Sequence, residues 1–390
     1  MLKPQKQISR NNLKIIENDS KVILINNNNG KWIKISYEVY KILLDLEKRN
    51  ISINDFENED RIFLKNIIKE TNNIRKNDIE KFIGYEITDK CNLLCKHCCF
   101  SYGLNDKVID LEKIYKILDK ILEFNPDVIQ ISGGEPMMLD NIEAYLKYLK
   151  DRGHCKIILS TNGTLFNDNN IKIITKLVDQ IDISIDGYDE VSCSKIRGKG
   201  VFSKVINNIK KIKSADFEKI TVSMVFSEKN YNEQAKFIEF CKDINVYPQT
   251  RYFSESGRGK ENIELFKNNK DIFFIPEDFF EKKWYELNAR KCLAGKSEFF
   301  IKENGDVYPC PQFTEEEFLL GNILQNDLES MKIKKQIDVN EKFLDDCKDC
   351  KVEPFCWTCP GSKKEIKNKY MKDNMCNKIY SHLYKEIWED

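Results

Sequence analysis

Short apolar runs recur along the middle of the chain, at residues 82–87, 128–132, 157–160, 181–185, 220–226 and 246–253. Their length and their Ile and Val content predict buried strands. Between them apolar residues fall at helical spacing, as at Leu111, Ile114, Ile117, Leu118, Ile121 and Leu122. Six alternations of strand and helix imply parallel strands joined by right-handed crossovers. Either a doubly wound sheet or an incomplete barrel satisfies that rhythm. In both, chemistry collects at the C-terminal ends of the strands.

The flanks read differently. Two β-patterned runs, 22–25 and 32–35, surround Asn27-Asn28-Asn29-Gly30, a hairpin turn in which Gly30 is free to take positive φ. Ser36 is placed to cap a helix with Val39, Leu43 and Leu46 on its apolar face. Ser52 with Asp55 marks a second cap, and Ile62, Phe63, Ile67 and Ile68 mark a further apolar face. Strands followed by short helices give residues 1–82 a winged-helix-like outline. The strand–helix repeat occupies residues 83–255, and residues 256–290 form a charged, glycine-punctuated connector without a clear period. Residues 291–390 combine short strands, turns and cysteines with a last amphipathic stretch at Ile379, Leu383 and Ile387.

At 390 residues the chain is long enough for two or three domains of roughly 150 residues each. Charge is dense but balanced, 63 Lys+Arg against 63 Asp+Glu. That balance gives no overall attraction to nucleic acid or acidic membranes. No stretch approaches the roughly 18 apolar residues of a membrane span. Met1-Leu2-Lys3-Pro4-Gln5-Lys6 lacks the apolar core of a secretory signal, so a cytoplasmic protein without nucleic-acid or membrane partners is expected. A disulfide framework is disfavoured there, and the 14 cysteines need another explanation. Cys91, Cys95, Cys98 and Cys99 bunch together, and seven more fall between Cys292 and Cys376. Such clustering favours metal or iron–sulfur ligation.

Cys91-Asn92-Leu93-Leu94-Cys95-Lys96-His97-Cys98 directly follows the first strand of the repeat. Three thiolates on one loop can hold three irons of a [4Fe–4S] cluster and leave the fourth open. Taken alone, the triplet also fits a zinc knuckle or buried thiols. Ser132-Gly133-Gly134-Glu135-Pro136 ends the second strand; its glycines let backbone approach a ligand closely, and Glu135 can hold an ammonium group. Ser160-Thr161-Asn162-Gly163 ends the third, and Ser184-Ile185-Asp186-Gly187, followed by Arg197-Gly198, ends the fourth.

These motifs at successive strand ends together resemble those of the radical S-adenosylmethionine (SAM) enzymes, over roughly residues 83–253. The resemblance implies an α/β fold with a partial (β/α)6 barrel, and a [4Fe–4S] cluster on Cys91, Cys95 and Cys98 whose open iron SAM chelates. It implies Glu135, beside Gly133 and Gly134, at the SAM amino group, with Ser184 and Arg197 at its carboxylate. Asn162 and Asp186 fall toward the ribose. His97 falls at the adenine pocket or in packing beside it.

Farther on, Cys292, Gly305 and Cys310 are followed by Cys347-x2-Cys350-x5-Cys356-x2-Cys359 and Cys376. This run resembles the SPASM domain, which carries auxiliary iron–sulfur clusters. It departs from the family in having only Trp357-Thr358 between the last two cysteines of the run, where three residues are more usual. The resemblance implies two auxiliary [4Fe–4S] clusters, one on Cys347, Cys350, Cys356 and Cys376. The other would sit on Cys292, Cys310 and Cys359 with a ligand position left over. Cys99, Cys155, Cys193 and Cys241 remain and are expected as buried thiols, with Cys99 the exception to watch because it adjoins the SAM cluster.

Radical enzymes with SPASM domains mostly modify peptides. Residues 10–75 are similar to the peptide-binding domain, related to a pyrroloquinoline quinone pathway chaperone, that leads many ribosomal-peptide maturases. Such a domain takes a leader peptide as an added strand. The expectation is a maturase that installs a radical-derived crosslink, a Cys thioether in first place, in a ribosomally made precursor held by its leader segment. Flavodoxin or ferredoxin is the expected electron donor. One alternative is a sulfatase maturase making formylglycine, although Pro311 follows Cys310 where that family has an Asp base. Another is a non-enzymatic iron–sulfur or zinc regulator whose front domain binds DNA.

Overall fold

Each of the six apolar runs becomes a parallel strand in the computed structural model. The structure describes residues 13–26, 30–49, 80–105, 110–267, 292–334, 349–356, 359–361 and 369–389, with isolated positions 62, 65, 66, 69, 289, 339 and 347. The chain divides into two units, one made of Met1–Ile79, Ile275–Cys292 and Val339–Asp390, the other of Glu80–Phe274 and Leu293–Asp338.

In the first unit β1 (Leu13–Asn18), β2 (Lys21–Asn26) and β3 (Trp32–Ser36) pair antiparallel in that order. The β2–β3 turn closes as its sequence predicts: Gly30 takes φ 69, and the Asn26 amide donates to the Lys31 carbonyl at 2.9 Å. β1 escapes the pattern reading because Lys14, Glu17 and Asn18 leave little apolar alternation along it. Ser36 caps α1 (Tyr37–Arg49), its Oγ accepting the Val39 amide at 3.2 Å. Val22, Leu24, Ile35, Tyr40 and Leu43 form the core between sheet and helix. The cap expected at Ser52 and the apolar positions Phe63, Ile67 and Ile68 lie outside the described residues.

The same sheet holds the C-terminal segment. The helix Lys369–Tyr384 and the π-helical turn Lys385–Glu389 end against it. Lys21 Nζ donates to the Trp388 carbonyl at 2.9 Å, Lys34 Nζ to that of Ile387 at 3.0 Å, and Asn18 Nδ2 to Tyr384 Oη at 2.9 Å. Lys14 pairs with Glu353, Lys351 donates to the Glu17 carbonyl, and Trp32 meets Phe355 edge-on at 4.7 Å. Ile379, Leu383 and Ile387 are buried as their helical spacing predicts.

In the second unit β4 (Phe82–Thr88), β5 (Val128–Gly133), β6 (Lys156–Thr161), β7 (Gln180–Ser184), β8 (Ile220–Phe226) and β9 (Tyr247–Tyr252) lie side by side in chain order, all parallel. The intervening helices are α2 (Leu111–Glu123), α3 (Ile142–Arg152), α4 (Asp168–Leu177), α5 (Glu190–Arg197), α6 (Val201–Lys213) and α7 (Gln234–Asp243). A doubly wound sheet needs a reversal of strand order. There is none, so right-handed crossovers place every helix on one face and the sheet reads as an open barrel wall. Beyond β4 the wall continues through β10 (Glu298–Ile301), parallel to β4, and then β11 (Asp306–Tyr308) and β12 (Gly321–Asn322), both antiparallel to their neighbours.

Strand alternation sorts the two faces. Ile83, Tyr85 and Ile87, Ile129 and Ile131, Ile157 and Leu159, and Ile181, Ile183 and Ile185 pack with Ile114, Leu118, Leu146 and Ile174 of the helices. The opposite face is polar. Gln130 Nε2 donates to Ser160 Oγ at 2.6 Å, and Gln180 Nε2 donates to Asp182 Oδ1 at 2.8 Å and to Thr221 Oγ1 at 3.1 Å.

Phe355→Ala removes the buried ring that Trp32 meets. It should cost about 3–5 kcal/mol. Urea unfolding measures that cost, and hydrogen exchange should report it in the amides of Ile33 and Ile35, far away in sequence.

Candidate active site at the strand ends

β4 runs directly into the three-cysteine loop. Cys91 and Cys95 are buried and Cys98 is half-buried. The loop has no ladder of its own, so its backbone groups are satisfied from neighbours. The Cys91 amide donates to the Gly103 carbonyl at 3.0 Å and the Lys96 amide to that of Ile196 at 3.0 Å. On the β5 side the Gly134 amide donates to the Thr88 carbonyl and the Glu135 amide to that of Lys90, both at 2.7 Å. A Cβ on Gly133, at φ +140, would lie 2.2 Å from Thr88 O, and one on Gly134 would lie 2.1 Å from Lys90 O. The close approach these glycines permit is therefore to the stem of the cysteine loop, where the sequence suggested approach to a ligand.

Two polar groups flank this loop. Glu135 is fully buried; its carboxylate accepts the Thr161 hydroxyl at 2.6 Å, the Asn162 amide at 2.6 Å and the Met137 amide at 3.0 Å. Burial pushes its pKa up against the pull of those donors. A carboxylate offers about four acceptor sites, so roughly one is left. Asn162 Nδ2 donates to Asn92 Oδ1 at 2.8 Å, and Asn92 Nδ2 to Thr164 Oγ1 at 2.9 Å, tying the end of β6 to the cysteine loop.

Asp186 gathers the second group. It sits at φ 52, and its carboxylate accepts the Arg197 Nε–H at 2.6 Å, faces His97 Nε2 at 2.5 Å and accepts the Val225 amide at 2.7 Å. Burial alone would raise its pKa, but the charge of Arg197, then His97 and the Val225 amide, hold it well below the usual carboxylate range. Arg197 Nη1 also lies 3.7 Å from Cys95 Sγ. Sequence reasoning placed His97, Asp186 and Arg197 at three different parts of one ligand; the fold brings His97 and Arg197 onto the carboxylate of Asp186. Ser184, at the end of β7, accepts from Ser223 Oγ at 3.3 Å.

The donor set of the loop suits a cluster. Burial pushes the Cys91 thiol up to about 11, with Cys95 and Cys98 adding to the rise, and burial raises Cys95 as well. Thiolates in such a place need a compensating cation, which irons supply. Among the described residues no three His, Cys, Asp or Glu converge as ligands of a single metal ion. A [4Fe–4S] cluster instead takes each thiolate on a separate iron. Of the C-terminal cysteines, Cys292, Cys310, Cys347, Cys350, Cys356 and Cys376 are half-buried and Cys359 is exposed. Cys310 belongs to the barrel unit, the other six to the first unit. Cys155, Cys193 and Cys241 lie in the barrel's apolar core, and Cys99 is half-buried.

Two residues escaped the sequence reading. Arg258 lies in the stretch expected to be a connector, and donates to the carbonyls of Cys95 and Tyr102; its signal was a Gly-Arg-Gly triplet. Glu86 is a lone acid in an apolar strand run. It is buried, accepts the Tyr102 hydroxyl and hydrogen-bonds Glu303, and burial pushes its pKa up to about 8.

The fold is thus an open parallel barrel of the α/β class with a three-thiol loop at its strand ends. Residues 85–241 match the radical SAM superfamily, and residues 292–360 match the SPASM iron–sulfur cluster-binding domain. The chain carries a radical SAM domain followed by a SPASM domain. Its cofactors are SAM, a [4Fe–4S] cluster and the auxiliary iron–sulfur clusters of the SPASM domain. An enzyme is thereby established, and the non-enzymatic alternative falls away. Among its relatives is the AdoMet-dependent heme synthase of Methanosarcina barkeri, 23% identical over 75% of this chain and 95% of that protein. Another is the antilisterial bacteriocin subtilosin biosynthesis protein AlbA of Bacillus subtilis, 26% identical over 75% of this chain and 70% of that one. The fold matches that of Streptococcus suis SuiB bound to its precursor peptide SuiA, with a TM-score of 0.54 and 18% identity over 95% of this chain and all of that one (100%). No helix among the described residues is long and apolar enough to cross a membrane.

Glu86 makes stability depend on pH. Its folded pKa, about 8, exceeds the ordinary 4.5. The folded state therefore holds the proton more tightly, and stability falls as pH rises through that window. Glu86→Gln should flatten the fall, by on the order of a few kcal/mol at the alkaline end, as read by urea unfolding across pH.

Proposed function

We propose that this enzyme is a peptide maturase that uses a 5'-deoxyadenosyl radical to install a crosslink, a Cys thioether, in a ribosomally made precursor. The observation that carries the reading is the first unit: a three-stranded sheet with its helix, joined in one body to the segment bearing Cys347, Cys350, Cys356 and Cys376. Such a sheet suits capture of a leader as an added strand. The polar inner face of the barrel, lined by Gln130, Ser160, Gln180, Asp182 and Thr221, suits a polypeptide better than an apolar ligand. The names of AlbA and of the SuiB–SuiA complex point the same way.

In this reading Cys91, Cys95 and Cys98 hold the SAM cluster. Glu135, beside Gly133 and Gly134, takes the SAM ammonium at its remaining acceptor site, which would supply the counter-charge its burial demands. Arg197 and Ser184 face the carboxylate, Asn162 and Asp186 the ribose, and His97 the adenine. When bound, the cluster supplies the electron that cleaves SAM to methionine and the 5'-deoxyadenosyl radical. By the family resemblance, Cys347, Cys350, Cys356 and Cys376 would hold one auxiliary cluster and Cys292, Cys310 and Cys359 the other, whose remaining ligand position would suit the substrate thiolate. Forming the S–C bond takes a hydrogen atom from carbon to the radical, a proton from the thiol to solvent and one electron, for which an auxiliary cluster would be the acceptor. An external one-electron donor, flavodoxin or ferredoxin, resets the SAM cluster.

Replacing Cys91, Cys95 and Cys98 together by Ala should remove about four irons per chain and all 5'-deoxyadenosine. If that variant still cleaves SAM, the triplet is misassigned. With a synthetic leader–core peptide containing Cys, mass spectrometry should show loss of two hydrogens. Leader alone, added in excess, should suppress the modification without lowering peptide-independent SAM cleavage. A hydrazine-reactive aldehyde product would instead establish formylglycine formation. Cys310→Ala should keep SAM cleavage and lose the crosslink; a variant that crosslinks normally would remove the thioether proposal.

A further inference from the structure

After β9 the chain turns back across the cysteine loop. Its five-residue helix, α8 (Gly257–Glu261), lies against that loop. The Arg258 amide donates to the Cys98 carbonyl at 2.9 Å. Its side chain donates from Nε to the Cys95 carbonyl at 3.0 Å and from Nη2 to the Tyr102 carbonyl at 2.5 Å. Asn262 Nδ2 reaches the Lys96 carbonyl at 3.5 Å. The fit is close: a Cβ on Gly257, at φ +50, would lie 2.5 Å from Cys99 O and 2.6 Å from Cys98 O. One arginine thus bonds three carbonyls of a single irregular loop, two of them through the fixed fork that only a guanidinium offers.

The placement is also electrostatic. Arg197 touches the Cys95 sulfur and Arg258 holds the Cys95 carbonyl, so two fixed cations bracket one cysteine. Hydrogen bonds and net charge around an iron–sulfur cluster set its potential.

We propose that Arg258 is a positioning residue for the electron-transfer step: it fixes the loop through the carbonyls of Cys95, Cys98 and Tyr102 and keeps a positive charge beside the cluster, which makes the cluster easier to reduce. The inference rests on the reading that Cys91, Cys95 and Cys98 hold the cluster. Reduction adds one electron, taken from dithionite in the test, and no proton; the added negative charge is what the guanidinium stabilises. A lysine retains the charge but not the fork, and a glutamine loses both.

The test uses the full chain, reconstituted anaerobically, with iron content and a dithionite redox titration followed by electron paramagnetic resonance. At the wild-type midpoint, Arg258→Gln should hold wild-type iron but show a ratio of reduced to oxidised SAM cluster about tenfold lower. That is about 59 mV for a one-electron couple. Arg258→Lys should stay near the wild-type ratio, as should Asn262→Ala, which loses a carbonyl contact without losing charge. Arg258→Gln with full iron and an unchanged ratio overturns the proposal. If Arg258→Gln sheds the cluster, Arg258→Lys decides. A lysine variant with wild-type iron and midpoint supports the charge, whereas loss of iron in both variants shows a merely structural strap and overturns it. The Cys91, Cys95 and Cys98 triple variant separates the two readings. If it keeps the SAM-cluster signal, the ligand assignment has failed rather than the role of Arg258.

Discussion

The loop from Cys91 to Cys98 belongs to no helix or strand, yet its cysteines must keep a fixed spacing while thiols lie buried within it. Every unpaired amide and carbonyl in such a loop costs free energy unless a neighbour supplies a partner. Here the neighbours are the glycine-rich end of β5, the Asn162–Asn92 bridge from β6, the Ile196 carbonyl of α5 and Arg258 after β9. The partners come from four separated stretches of sequence. The barrel is therefore the device that brings them to one place, and the loop's geometry is only as firm as the strand ends around it.

Two buried carboxyls beside that loop meet opposite fates for the same physical reason. Asp186 faces Arg197 and His97, and their attraction outweighs burial, so it stays ionised and orients both partners. Glu86 faces Tyr102 and a second carboxyl, Glu303, and nothing there offsets burial enough to keep it ionised near neutrality. The first arrangement fixes Arg197 and His97 beside the cysteine loop. The second joins β4 to the residues following β10 through a shared proton, a bond that weakens as that proton is lost.

The first unit applies a similar economy to its sheet. One face packs on α1 through Val22, Leu24, Ile35, Tyr40 and Leu43. Lysines from each of its three strands, Lys14, Lys21 and Lys34, meanwhile reach groups of the C-terminal segment. Residues near the two ends of the chain thereby share one fold. Lys351 and Glu353, which lie between Cys350 and Cys356, are themselves contacts to β1, so the cysteine run is anchored where the sheet is.

Much of this was legible in the sequence, because the information is local. Periodicity placed the six barrel strands, Gly30 and Ser36 marked a turn and a cap, and Cys91, Cys95 and Cys98 with the strand-end motifs carried the resemblance to radical SAM enzymes. What stayed hidden was long-range. Pattern alone left a doubly wound sheet and an open barrel equally possible, since strand order is decided by which crossovers pack, and β1 was too polar to stand out. Gly133 and Gly134 were seen as room for a ligand, but a Cβ there would strike the backbone of β4's own extension. Asp186, His97 and Arg197 are separated along the chain and meet only when β7, α5 and the cysteine loop converge. Arg258 looked like part of a linker because nothing next to it in sequence needs a guanidinium. Residue types and spacings determine which chemistry is available; which groups share a hydrogen bond or a charge is decided by the tertiary fold, because those energies depend on distances the sequence does not contain.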